Sequence, residues 1–201
     1  MAKELFYEES AVCARARGEA KLYTTFHVAS IIFFVFAAIH FALSFTYISQ
    51  LIAASKEEGV SIAMPLVLWI GLFVALVGVA LAFFFLKRRF NLSYDYTFVE
   101  DELRVTKVFN GKRRKYLFTL KADHILKIGW EERDSFQRTA SGLGGKKPQY
   151  LTPNRDPMEG KTFIYILYST SMGKDLYVLE CREMLLEYVV RAAGIRTLER
   201  Q

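Results

Sequence analysis

The sequence predicts an α+β membrane protein: a two-helix transmembrane hairpin, then a bent β-sheet or partial barrel of six to seven antiparallel strands, then a C-terminal α-helix. Three observations carry that prediction. Residues 22–55 and 59–86 contain no Asp, Glu, Lys or Arg. After them, apolar residues recur at every second position, the period of a half-buried strand. At the end of the chain they recur at helical spacing.

Each charge-free run exceeds the ~20 apolar residues that cross a hydrocarbon core. The spans fall at about 25–52 and 62–86, inside a hairpin covering 24–89. A cleaved secretory signal has an apolar stretch of only about 7–15 residues, so the first run is too long to be one. The whole composition agrees: 201 residues with 52% apolar and 24% charged side chains suit one domain plus an anchor. Orientation follows from Lys and Arg near the spans. Lys3, Arg15, Arg17 and Lys21 precede them and Lys87, Arg88 and Arg89 follow, whereas the connecting SKEEGV sets Lys56 against Glu57 and Glu58. The expectation is a multi-pass plasma-membrane protein with both termini cytoplasmic and residues 1–23 a cytoplasmic N-terminal segment. Cys13 and Cys181 then lie far apart on the reducing side, and no disulfide or zinc framework follows.

In the second span, Gly71, Ala75, Gly78 and Ala82 recur every three or four positions and offer a face for close helix packing. The simplest partner is the first span of the same chain, and a homodimer is the alternative. His27 belongs at the cytoplasmic interface. His40 lies deep in the first span, where a neutral imidazole hydrogen-bonded to the neighbouring helix is expected and a functional role is the alternative.

The cytoplasmic domain is expected over 90–201. In LSYDYTFVE, Leu92, Tyr94, Tyr96 and Phe98 share one face and Ser93, Asp95 and Thr97 the other. Two further strands flank Asn110-Gly111, a strong hairpin signal because both residues tolerate positive φ. A two-residue turn pairs Phe109 with Lys112, Lys107 with Arg114, Val105 with Tyr116 and Leu103 with Phe118. A fourth strand is expected in HILKIGWE, where Leu126, Ile128 and Trp130 alternate with Lys127 and Gly129. Residues 133–160 are polar and rich in Gly and Pro, with no period, and read as a mobile insertion with a short strand near PQYLT. TFIYILYS and KDLYVLE form a second hairpin across a TSMG turn. In CREMLLEYVVRAAG, Leu185, Leu186, Val189, Val190 and Ala193 make a helical stripe before Gly194, with Leu186 and Val189 expected to plug the open end of the sheet.

The stretches AVCARARGEAKLY, LSYDYTFVEDELRVTKVFNGKRRKYLFTL, ADHILKIG and DLYVLECREMLLEYVVRAAG, in this order around two spans, resemble bacterial membrane proteins carrying a pleckstrin-homology-like (PH-like) domain. In particular the chain is similar to a group of small two-span proteins from Gram-positive bacteria. The resemblance implies a fold and an attachment. It implies no activity and no site residues.

Arg104, Lys107, Lys112, Arg113, Arg114, Lys115 and Lys121 lie between residues 103 and 122 with no acidic residue among them, in a chain of net charge +6. Basic residues on an early hairpin bind inositol phosphates in eukaryotic PH domains, so the resemblance implies contact with anionic lipid headgroups or an acidic partner. The plainer reading is a solvated edge whose charge discourages pairing with other chains. Nucleic acid is a weaker candidate, since a basic patch alone does not distinguish polyanions. SGLGGKK lacks the spacing of a phosphate loop, and EERD has no His or Ser at fixed spacing. No catalytic, cofactor or metal site emerges. The expected function is a non-enzymatic, membrane-anchored interaction or scaffold module at the inner leaflet, with a membrane protein or a second copy as partner. An anionic-lipid sensor is the alternative, and an enzyme acting on a membrane substrate would need a polar pocket that the sequence does not announce. A strand starting at Leu92, so soon after the last span, leaves no flexible tether.

Overall fold

The computed structural model describes residues 6–59 and 61–199; Lys3 and Val60, used above, lie outside them. The chain divides into a helical unit, residues 17–90, and a domain built from the residues on either side of it.

The helical unit consists of α1 (Ala16–Glu58) and α2 (Ala63–Leu86), closed by a 3-10 turn, Lys87–Arg89. Both helices are long and apolar enough to cross a membrane. They meet through aromatic rows. Phe83 lies 5.7 Å from both Phe26 and Phe33, and Trp69 is stacked between His40 and Tyr47 at 4.1 Å each. Trp69 Nε1 donates to Ser44 Oγ at 2.8 Å, and Ser44 Oγ donates to the His40 carbonyl at 2.9 Å. Buried Ser30, Ala37 and Ala80 make room for the rings.

Two expectations fail here. Gly71, Ala75, Gly78 and Ala82 do not face α1: all four are exposed, and a Cβ on Gly71 or Gly78 would meet nothing within 4 Å. Stacked rings and an indole hydrogen bond supply more contact than a backbone approach at the small residues would. His40 is buried but, among the described residues, neither ring nitrogen has a hydrogen-bond partner; the ring is held by stacking on Trp69 and Phe73.

Among the described residues the domain holds eight strands in two four-stranded sheets, against the expected six to seven antiparallel strands in one bent sheet or partial barrel. The first has the order β1-β2-β3-β4, all antiparallel: β1 (Phe6–Val12), β2 (Leu92–Val99), β3 (Glu102–Phe109) and β4 (Arg113–Lys121). The second combines β5 (Ile125–Trp130), β6 (Gln149–Tyr150), β7 (Thr162–Thr170) and β8 (Gly173–Cys181) in the order β5-β7-β8-β6, and β6 runs parallel to β8. Tyr96, Phe98, Leu103, Val105 and Leu120 of the first sheet share a core with Ile128, Ile164, Ile166 and Leu179 of the second. Helix α4 (Glu183–Ala193) adds Leu185 and Val189 to that core, whereas Leu186 is only half-buried. The helical plug is therefore real, with Leu185 in place of Leu186.

Strand β1 corrects the reading of residues 1–23 as a separate segment. FYEESAV alternates, but its inward face carries Glu9, which the period alone counts against burial. The fold accommodates that carboxylate with Lys161 Nζ at 3.1 Å and the Arg182 backbone N–H at 3.1 Å. The helical unit is thus an insertion between two neighbouring strands, and Val12, where the chain leaves the sheet, pairs with Ser93, where it returns.

The 133–160 segment is folded, against expectation. It contains α3 (Asp134–Ser141) and β6, and it buries Phe136, Leu143 and Leu151. Phe136 and Leu143 form a second small core with Phe163, Tyr165, Leu176 and Val178. Polar anchoring completes it. Fully buried Glu180 accepts hydrogen bonds from Thr152 Oγ1 (2.5 Å), Asn154 Nδ2 (2.7 Å) and the Met158 N–H (3.0 Å). Asn154 also clamps the chain leading out of β1, donating to Val12 O and accepting from the Ala14 N–H, both at 2.8 Å.

Candidate functional site

The basic cluster sits on the β3-β4 hairpin. Asn110 and Gly111 have φ of 53° and 63° as expected, and the Lys112 N–H donates to Phe109 O at 3.1 Å, but the loop spans three residues, 110–112, instead of two. The register differs accordingly. Phe109 pairs with Arg113, Lys107 with Lys115 and Thr106 with Tyr116; after an irregularity between Val105 and Thr106, Val105 pairs with Phe118 and Leu103 with Leu120. The ladder is displaced by one position near the tip and by two toward the base. Leu117 is the unpaired extra residue, and such a bulge leaves no mark in composition.

Register decides which side chains share a face. Arg104, opposite Thr119, and Arg114, opposite Val108, lie on one face of the sheet. Carboxylates stand there too. Buried Asp95 accepts a hydrogen bond from Ser10 Oγ at 2.7 Å and lies 3.6 Å from Arg114 Nε; Glu102 lies 3.5 Å from Arg104 and 3.9 Å from Lys121. Lys107 and Lys115 oppose one another on the other face, Arg113 follows across from Phe109, and Lys112 occupies the turn. Among the described residues none of these four makes an ion pair. Like charges directly opposed across a ladder repel. Lys107 is offset only by aromatic faces, its ammonium lying 5.4 Å from the Tyr94 ring and 5.5 Å from Phe109. The sheet therefore sorts a single run of sequence into a neutralised group, Arg104, Arg114 and Lys121, and an unneutralised one, Lys107, Lys112, Arg113 and Lys115. The latter three residues are exposed and Lys107 is half-buried.

Other polar groups are occupied in holding the fold. Burial and then the neighbouring Glu9 charge push the Cys181 thiol far above its usual range, which leaves it protonated and unreactive. Among the described residues no cluster of His, Cys, Asp and Glu is arranged to hold a metal ion.

A family model described as bacterial PH-like domain (DUF6106) matches residues 4–193. No curated protein and no solved structure matches the chain.

Proposed function

Since the chain belongs to the bacterial PH-like domain family DUF6106, whose fold serves interaction and not catalysis, we propose that it is a membrane-anchored interaction module whose domain meets anionic headgroups at the inner leaflet. The observation that carries anchoring is the apolar surface of the helical unit. Val35, Phe36, Ile39, Phe45, Val67, Leu68 and Val74 are each about half exposed or more, a surface suited to lipid. The pairing of β1 with β2 supports two crossings in particular. Paired strands share one side of a bilayer, so the helices between them cross an even number of times. The positive flanks at Arg15, Arg17, Lys21 and Lys87–Arg89 favour the cytoplasmic side.

The observation that favours lipid contact over a merely solvated edge is the unneutralised group. Each basic residue near an anionic leaflet contributes ~1 kcal/mol, and these four have no internal carboxylate to give up. A soluble variant tests this, in which a short Gly-Ser linker replaces residues 17–90 and keeps β1 attached. It should bind vesicles containing phosphatidylglycerol, and lose them as salt shortens the Debye length from ~10 Å at 0.1 M to ~3 Å at 1 M. Changing Lys107, Lys112, Arg113 and Lys115 to Gln should abolish binding, while changing Arg104, Arg114 and Lys121 should weaken it much less. Equal loss from both sets, or no binding at low salt, defeats the lipid reading and leaves a protein-docking module.

A further inference from the structure

The second sheet ends at β5, and that edge is covered. After α4 the chain makes a 3-10 turn, Ile195–Thr197, and runs along β5: Leu198 forms a parallel bridge with Ile128, and the Glu199 N–H donates to Ile128 O at 2.9 Å. The Glu199 carboxylate enters a notch. Its Oε2 accepts from Ser135 Oγ at 2.6 Å and Tyr165 OH at 3.3 Å, and its Oε1 lies 3.5 Å from Lys127 Nζ. Glycine at 129 makes the notch, since a Cβ there would lie 2.6 Å from Glu199 Oε2 and 2.7 Å from the Tyr165 ring. The cover is light toward its start, where Ile195 is 81% exposed and Arg196 is exposed, and firmer at its end, where Leu198 is partly buried and the Glu199 side chain is 17% exposed. It also lies beyond the family match, which ends at residue 193, whereas β5, Gly129, Ser135 and Tyr165 all lie within it.

We propose that the β5 edge is a peptide-docking site which this chain closes with its own segment 195–199, and that the partner it fits is an extended segment of another protein presenting an apolar residue followed by Asp or Glu. The occupant seen in place supplies the chemistry. Main-chain bonds to Ile128 accept any extended backbone, the half-buried Leu198 position takes an apolar side chain, and Lys127, Ser135 and Tyr165 receive a carboxylate. A tethered cover acts at an effective concentration on the order of millimolar, so a partner must match the motif closely to displace it. This inference rests on the chain being an interaction module, but it concerns the second sheet and is independent of the basic hairpin.

The test compares the full chain in detergent with one ending at Gly194, using a fluorescent peptide of sequence GIRTLERQ as probe. The shortened chain should bind the peptide at least tenfold more tightly than the full chain does. A peptide with Gln in place of Glu199 should lose at least tenfold, and Gly129→Ala in the shortened chain should abolish binding. No binding, no gain over the full chain, or indifference to the Gln peptide would each overturn the proposal. So would unfolding of the shortened chain, because the segment would then be core and not cover. A measurement on the intact chain stands apart from truncation: the Glu199 amide should exchange hydrogen faster than those of Ile164 and Leu179, and excess peptide should raise its rate. Exchange as slow as theirs overturns the proposal. Dimerisation of the full chain that vanishes on shortening would make a second copy the occupant and overturn the partner assigned here.

Discussion

Glu180 shows how a carboxyl group is held in this interior by hydrogen bonds, with no ion-pair partner among the described residues. Its two oxygens are covered by three donors from one loop, so the residue ties 152–158 to β8. Changing Glu180 to Leu leaves those donors facing an apolar side chain, and in the soluble variant this should cost about 2–4 kcal/mol of unfolding free energy. Proteolysis should rise first within 152–158; an unchanged midpoint would show that water replaces the carboxylate at no cost. Glu199 is tuned differently. Burial alone would raise its pKa, but the Ser135 hydrogen bond, the Lys127 charge and Tyr165 outweigh it and hold the carboxyl below its ordinary range. A lowered folded-state value contributes stability that is complete above the unfolded pKa and disappears as pH falls through the folded one. Segment 195–199 should therefore stay attached at neutral pH and detach only below about pH 4, read as loss of the Glu199 amide's protection factor. Release beginning near pH 6 would contradict that sign.

Among the elements, α4 offers the sharpest contrast. Leu185 and Val189 are fully buried and Leu186 is not, so Leu185→Asp or Val189→Asp should cost about 4 kcal/mol and Leu186→Asp roughly 1 kcal/mol, by denaturant unfolding of the soluble variant. Deleting 141–148 removes Leu143 from the second core and should cost about 2–3 kcal/mol, where a solvated loop would cost almost nothing. The difference between these elements explains what the sequence discloses. A terminal helix with a regular stripe and strands with a two-residue period announce themselves, because one periodic face meets one core. The 133–160 segment does not, since Phe136, Leu143 and Leu151 reach two separate cores at irregular spacing. Strand β1 is masked by Glu9, whose partners Lys161 and Arg182 come from far along the chain. The basic cluster is visible as composition, but its division depends on a bulge at Leu117 that only backbone pairing reveals.

For the molecule as a whole, the proposed topology makes a direct prediction. Gly59→Cys should react with an impermeant maleimide in intact cells and Ser141→Cys should not; labelling at Ser141 would put the domain on the other side. Removing residues 6–12 should also harm far more than a stray N-terminal segment could, because it strips the partner from β2 and takes from Glu180's loop the Val12 carbonyl that Asn154 donates to. The insertion of the helices between β1 and β2 has a further consequence in the order of synthesis. Among the described strands β1 is made earliest and waits longest for its partner, since β2 appears only after both helices have been made. If both helices cross the bilayer as proposed, a chain that threads only one of them leaves β1 across the bilayer from the other described strands, and the unfinished sheet keeps an open edge for proteases. Closure of that sheet would thus act as a checkpoint, completed only by molecules whose membrane insertion went correctly.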